Sequence, residues 1–157
     1  MRIGQGIDTH PFVEGGRLVL GGVEIPHSHG LQGHSDADAL IHAICDGMLG
    51  ALALGDIGNV FSDTDPANQG RDSVEFLQII HTRIQAKGYV IGNIDTTIVT
   101  EKPKLAPYIP EMQNNLAKVL DINIDQISIK ATRPEKMGAL GRDEGLLALA
   151  IVLLHPK

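Results

Sequence analysis

Hydrophobic positions along the chain switch between two spacings, and the switches divide it into strands and helices. Residues 2–12 alternate as a strand. Arg17-Leu18-Val19-Leu20, Gly21-Gly22 and Val23-Glu24-Ile25 then read as a hairpin, because paired glycines supply the positive φ of a tight turn. The segment 26–34 has little apolar anchorage and reads as a mobile loop. Leu40, Ile41, Ile44, Met48, Leu49 and Leu52 fall at helical spacing. They predict a helix from about Asp36 to Leu54, with Ser35 as its cap and Asp38 at the capping-box position. Residues 55–70 form a loop rich in Gly and Asp. A second helix is expected from Asp72, with Glu75 completing a capping box, to Gly88. Tyr89 to Thr100 alternates as a strand, and Glu101 to Pro107 is a loop. A third helix opens near Pro110 and runs to about Leu120. Ile127–Thr132 and Gly145–Leu154 complete the set as strands.

Leu146 to Leu154 is apolar at every position, so the last strand is expected to be hidden on both sides, either at the sheet centre or against a symmetry mate. The order strand, hairpin, helix, helix, strand, helix, strand, strand predicts an α+β class. Its expected form is a mixed four-stranded sheet with helices on one face plus a small hairpin. With no linker, repeat or low-complexity tract, residues 1–157 read as a single domain.

Composition narrows the function more than the fold. Aromatics are 3% with no Trp, so the core must rest on Ile, Leu, Val and Ala. A net charge of −6, with no basic stripe or stacking platform, argues against a nucleic-acid partner. A small polyanionic substrate stays open, because metals and helix ends act locally. A single cysteine, Cys45, rules out an internal disulfide and sits in an apolar helical stretch as a core residue. No apolar run approaches the ~20 residues that span a bilayer. The opening strand leaves no room for a targeting segment, so the expected compartment is the cytoplasm, with no membrane partner.

The chemistry concentrates in a few segments. Asp8 and His10 lie two apart on a strand, which puts both on one side. His42 lies between Asp38 and Asp46 at four-residue spacing, a polar ribbon along one helix face that suggests a carboxylate orienting the imidazole. One carboxylate and two imidazoles make the ligand set of a catalytic zinc site. A solvent-facing Asp-x-His pair is the bland alternative. His34-Ser35 at a helix start suits an anion, although a plain cap explains Ser35 equally. Gly55-Asp56-Ile57-Gly58 and Phe61-Ser62-Asp63-Thr64-Asp65-Pro66 have the look of a substrate loop, while Asx turns account for them as well. Pro103-Lys104-Leu105-Ala106-Pro107 is rigid, and its backbone groups could read a flat base. Lys130-Ala131-Thr132-Arg133-Pro134-Glu135-Lys136 has parts suited to phosphates and a second, hard cation, or is a solvated turn. Arg142 beside Gly141 is a further phosphate fork. His27, His29, His81 and His155 read as surface or loop residues.

Taken in order, these segments resemble the 2-C-methyl-D-erythritol 2,4-cyclodiphosphate synthases of the non-mevalonate isoprenoid pathway. The resemblance covers nearly the whole chain: Arg2 to His10, Gly33 to Asp38, Ala53 to Gly58, Phe61 to Pro66, Lys130 to Thr132, Glu135 to Gly138 and Gly141-Arg142. It implies a homotrimer with active sites between subunits, a cytidine diphosphate ester of methylerythritol 2-phosphate as substrate, and CMP as the released product. By position, Asp8, His10 and His42 bind zinc, and Glu135 holds magnesium or manganese with the diphosphate. His34 and Ser35 meet the methylerythritol phosphate; Asp56, Ile57 and Gly58 meet the ribose. Phe61, Ser62, Asp63, Thr64 and Asp65 form the substrate loop. Thr100, Pro103, Lys104, Leu105 and Ala106 of the neighbouring subunit take the cytosine, with Thr132 and Arg142 near phosphates. His34, Thr132, Arg133 and Glu135 are the implied catalytic set. Two positions depart from the family pattern. Arg133, followed by Pro134, replaces a threonine or small polar residue. Ala139 replaces an aromatic lining a trimer-axis cavity for isoprenoid diphosphates. Two other classes share some of these features: a non-haem iron oxygenase with the same ligand set, and a non-catalytic isoprenoid-diphosphate-binding trimer.

Overall fold

Two glycines on the first strand, Gly4 and Gly6, decide how the layers meet. The computed structural model describes residues 1–62 and 64–157. Strand β1 (Arg2–Glu14) is followed by the hairpin strands β2 (Leu18–Leu20) and β3 (Val23–Ile25), the short β4 (His29–Leu31), and helix α1 (Ala39–Ala51). A one-turn helix α2 (Ile57–Val60), a 3-10 turn at Pro66–Asn68 and helix α3 (Ser73–Ala86) precede β5 (Tyr89–Val99). Helix α4 (Ile109–Leu120), strand β6 (Ile127–Thr132), a second one-turn helix α5 (Gly138–Gly141) and β7 (Gly145–Pro156) complete the order. Among the described residues, no helix is long and apolar enough to cross a membrane.

The main sheet is mixed and has five strands in the order β4-β1-β7-β5-β6, with only β5 and β6 parallel; β2 and β3 pair separately. The α+β class therefore holds, but the expected four strands become five. The extra strand lies inside 26–34, the segment expected to be a mobile loop. Phe12, Val13 and Glu14 pair with Leu31, Gly30 and His29. Gly30 is buried, and a Cβ there would lie 2.4 Å from Arg17 O. The anchorage is one core side chain, Leu31, together with backbone packing around Gly30, so the hydrophobic pattern carries little trace of it.

β7 is central, as its composition allows, and burial alternates along it. Leu146, Ala148, Ala150, Val152 and Leu154 join the core beneath α1, while Ile151 on the opposite face is 39% exposed. Ile3 and Ile7 on β1 extend that uncovered apolar face at 68% and 52% exposure. The strand is thus hidden on one side of this chain, not on both.

Gly4 and Gly6 face α1. A Cβ on either would stand 1.9 Å from a helix carbonyl, Gly47 O and Ala43 O respectively. The helix therefore lies against bare backbone, closer than any side chain permits. Its start is later than expected, because Ala37 takes φ 56 and cannot belong to a helix. Asp38 is the N-cap: its carboxylate accepts from Ile41 N–H at 3.0 Å and also from Gly21 and Gly22 N–H at 3.0 and 2.7 Å. Burial pushes its carboxyl up to about 6 against the opposing pull of those three N–H groups. Asp38 thus fastens the hairpin tip to the helix.

The second helix also starts differently. Asp72 makes no side-chain cap bond, Glu75 pairs with Arg71 at 2.7 Å, and the Ser73 N–H is taken by Asp36 at 3.0 Å. The expected capping box is absent because a more distant carboxylate does its work. His81, expected at the surface, is 8% exposed on the inner side of α3. Cys45 is fully buried, as its surroundings predict.

Two glycine substitutions test the close approach in denaturant unfolding. Gly6→Ala is expected to destabilise the fold by about 2–3 kcal/mol by overpacking. Gly50→Ala, on the exposed side of α1 with its Cβ 3.8 Å from Gln5 O, is expected to stabilise it by about 0.5–1 kcal/mol.

Candidate active site

Strand alternation carries the inward face of β1 from Gly4 and Gly6 to Asp8 and His10, past the first turn of α1, where His42 adjoins Ala43. Asp8 Oδ2 lies 2.8 Å from His10 Nε2 and 3.1 Å from His42 Nδ1, and the two imidazole nitrogens are 3.4 Å apart. Bonds of roughly 2.0–2.1 Å at tetrahedral angles place neighbouring ligand atoms about 3.3 Å apart. The cluster therefore has the ligand types and nearly the spacing of a zinc site, with all three residues half-buried. Its atoms are acceptors facing one another, which only a proton or a cation between them makes favourable.

The outward ring nitrogens are also engaged. His10 Nδ1 lies 2.7 Å from Gln32 O, and His42 Nε2 lies 2.8 Å from Ser73 Oγ and 3.2 Å from Ser35 Oγ. Burial raises the Asp8 carboxyl, but the bonds from His10 and His42 outweigh it and hold the group well below the usual carboxylate range. Burial likewise lowers His10, and its bond to Asp8 more than offsets this, so the imidazole titrates above its ordinary 6.5.

The carboxylate ribbon on α1 does not orient His42. Asp38 is committed to the hairpin, and Asp46 accepts the Ile57 N–H at 2.7 Å, fixing α2. Burial raises the Asp46 carboxyl, with Ile57 opposing and Asp56 and Asp8 adding to the rise. Four-residue spacing put the three side chains on one helix face; each of the two acids found a backbone donor of its own.

A cleft of about 420 Å³ opens beside the cluster. Its walls include His10, His42, His34, Ser35, Ile57, Gly58, Phe61 and Ser62 from the expected set, together with Asn68 and Phe76. Phe61 stacks on Phe76 at 4.3 Å, and the Arg71 guanidinium sits 5.0 Å from the Phe76 ring. Asp56 caps α2 through Asn59 N–H at 2.9 Å, Thr64 Oγ1 meets Ser62 Oγ at 2.7 Å, and Asp65 caps the 3-10 turn through Ala67 N–H at 3.0 Å. Asp63 lies outside the described residues.

The other expected residues gather elsewhere. Thr100, Pro103, Lys104, Leu105, Ala106, Thr132 and Arg133 line a second cleft of about 510 Å³ with Glu101, Lys102 and Ala131. Thr100 braces it, its N–H on Thr132 O at 3.1 Å and its hydroxyl on Lys102 O at 2.6 Å. Glu135 is exposed at φ 53 and does not join the Asp8–His10–His42 cluster. Arg142 lines neither cleft; its Nε donates to Glu144 at 2.6 Å. The first cleft hangs from β1 and the second from β6, three strand spacings apart, or about 14 Å.

Sequence reasoning missed Asn68, Phe76, Asp36 and Ser73. Phe76 looks like any core position of an amphipathic helix, and Ser73 like a residue of a helix start. The repeat of Asp in Asp36-Ala37-Asp38 was the one available hint.

Comparison with known proteins fits this arrangement. A solved structure of a 2C-methyl-D-erythritol-2,4-cyclodiphosphate synthase in a CDP-bound form superposes with a TM-score of 0.91 at 35% identity, over 98% of this chain and all of that one. The bifunctional IspDF from Campylobacter jejuni gives 0.96 at 39% identity over 99% of this chain, which spans 42% of that longer one. A protein of Geobacter metallireducens named 2-C-methyl-D-erythritol 2,4-cyclodiphosphate synthase is 56% identical over the full length of both chains. The YgbB family profile matches residues 1–155. With that match spanning almost the entire sequence and a relative more than half identical from end to end, this chain belongs to the YgbB family.

Proposed function

We propose that the chain is a cytoplasmic 2-C-methyl-D-erythritol 2,4-cyclodiphosphate synthase, with residues 1–157 forming one catalytic domain. The observation carrying this reading is the convergence of Asp8 Oδ2, His10 Nε2 and His42 Nδ1 beside a cleft walled by His34, Ser35, Ile57, Gly58 and Phe61. The substrate is the cytidine diphosphate ester of methylerythritol 2-phosphate. Its own 2-phosphate attacks the β-phosphorus, the bond to CMP breaks, and the cyclic diphosphate forms. No activated serine or cysteine is required, and Cys45 is sealed inside α1. Holding both phosphates in one site supplies about 7–11 kcal/mol of the barrier through proximity.

Zinc held by Asp8, His10 and His42, with magnesium or manganese at Glu135, supplies positive charge to the phosphoryl oxygens. His34 and Ser35 hold the methylerythritol phosphate end, and Asp56 and Gly58 the ribose. Thr100 and the loop through Ala106 hold the cytosine, while Thr132 and Arg133 face the phosphates. One substrate must meet both sets, yet within one chain they hang from strands about 14 Å apart. A homotrimer in which one subunit's Asp8 cleft faces a neighbour's Thr100 cleft reconciles them, and it covers the apolar face bearing Ile3, Ile7 and Ile151. Isoprenoid diphosphate at the trimer axis rests on Arg142 alone, since Ala139 offers no aromatic wall.

Two experiments check this reading. The metal-loaded protein should release CMP from the cytidyl ester, and His42→Ala should lower the rate by more than about 100-fold with the assembly intact by light scattering. Substrate binding without CMP release, or bound iron with oxygen-dependent turnover, would overturn the assignment. Zinc affinity should also fall as pH drops from about 8 to about 6. His10 must lose a proton that Asp8 holds above its ordinary 6.5, whereas Asp8 is already ionised across that range. In chelator-stripped protein the sign reverses for stability. The His10 contribution is complete below 6.5 and is lost as pH rises through the raised value. Thermal melts with and without chelator read both.

A further inference from the structure

Ser73, the first residue of α3, is fully buried and reaches into the site from behind His42. Its hydroxyl lies between two groups, His42 Nε2 at 2.8 Å and Asp36 Oδ1, to which it donates. The Asp36 carboxylate is held firmly: Oδ2 accepts the Ser73 N–H at 3.0 Å and Oδ1 the Asp38 N–H at 3.2 Å. A hydroxyl has one hydrogen, and a carboxylate has none to give. The Ser73 hydrogen therefore belongs to Asp36, and the serine lone pairs are left for His42. The nearest donor to them is the His42 imidazole at 2.8 Å, ahead of the Ser35 hydroxyl at 3.4 Å. That bond holds a hydrogen on Nε2 against the pull of the Asp8 carboxylate, 3.1 Å from Nδ1, and so frees the Nδ1 lone pair for a metal ion beside His10 Nε2, 3.4 Å away.

Ser35 is the rival partner, at 3.2 Å from the same nitrogen. It already accepts the Ala37 N–H at 3.2 Å, and its longer contact makes it the secondary acceptor. With His42 satisfied by Ser73, the Ser35 hydrogen faces Ser73 Oγ at 3.4 Å and the cleft that Ser35 lines.

We propose that Asp36 and Ser73 are positioning residues that fix the tautomer and ring angle of His42 for metal ligation. The inference rests on the reading of Asp8, His10 and His42 as a metal site, and it assigns work to two residues outside that cluster. Outer partners of ligating histidines commonly raise metal affinity by about 10–100-fold. Here the outer partners also join the elements, because the same carboxylate takes the first N–H of α3.

Zinc affinity is measured on the full-length protein by competition with a chromophoric chelator at fixed pH, using Ser73→Ala, Asp36→Asn and His42→Ala. Ser73→Ala removes one oxygen and leaves Nε2 with Ser35 only; affinity should fall about 10–100-fold. Asp36→Asn keeps the shape and reverses the polarity. The amide has a single oxygen for the three donors that Asp36 serves, the Ser73 N–H, the Ser73 hydroxyl and the Asp38 N–H, so the hold on the serine hydrogen, and through it on His42, weakens. Affinity should fall by at least the same factor. In 15N-histidine spectra of the stripped protein at alkaline pH, the His42 tautomer balance should move from Nε2–H toward Nδ1–H in both variants relative to the parent, a shift that loosened packing does not produce. Variants that bind zinc within about twofold of the parent, while His42→Ala does not, overturn this inference and leave the metal reading standing. A parent that takes up no zinc overturns both. Should Asp36→Asn fail to fold by circular dichroism, Ser73→Ala decides.

Discussion

The absence of two Cβ atoms governs this structure. Gly4 and Gly6 let α1 rest directly on the backbone of β1, with carbonyls of Gly47 and Ala43 in space that any side chain would claim. That approach brings His42 to Asp8 and His10. A helix displaced by one methyl layer would carry the imidazole away by more than the tolerance of a metal bond, since ligand distances vary by only about 0.2 Å. Packing and chemistry are therefore one constraint here.

A second layer of organisation consists of carboxylates that serve backbone rather than substrate. Asp38 joins hairpin to helix, Asp46 holds α2, Asp56 and Asp65 cap the short turns lining the cleft, and Asp36 starts α3. Each satisfies N–H groups that helix starts and turns would otherwise leave open, a deficit worth about 1–3 kcal/mol per buried donor. Much of the −6 net charge is thus spent on architecture. The site borrows its rigidity from these caps: loop 33–38 is tied to α3 through Asp36, and its Gly70 and Arg71 neighbours bond back to His34 and Asp36.

What could be read in advance follows from where information is written. Long periodic runs announced α1, α3, α4, β5, β6 and β7, and Gly21-Gly22 announced the hairpin turn at φ 60 and 70. The pairing of Asp8 with His10 followed from strand alternation, and His42 joined them on ligand chemistry, its place in a polar helix ribbon and the resemblance. Features built from backbone contacts stayed hidden. β4 depends on Gly30 fitting beside Arg17, and α1 begins at Ala39 because Ala37 adopts φ 56. Local capping signals misled at Ser35, whose hydroxyl takes the Ala37 N–H before the helix begins, and at Asp72-Glu75, where the distant Asp36 displaced the expected local bond. His81 could not be recognised as buried, since burial of a histidine on a helix depends on what lies across from it. The division of the expected residues between two clefts came from the resemblance, which gives 100–106 to a neighbouring subunit, and not from the residues themselves, because sequence order says nothing of distance across a sheet.

The ligand cluster contains oxygen and nitrogen alone, and the one thiol, Cys45, is shut within α1 with burial pushing its ionisation far up. Peroxide and disulfide reagents expel zinc from thiolate centres by attacking sulfur. A metal ion held by Asp8, His10 and His42 would offer them no sulfur to attack, which would uncouple its retention from thiol oxidation.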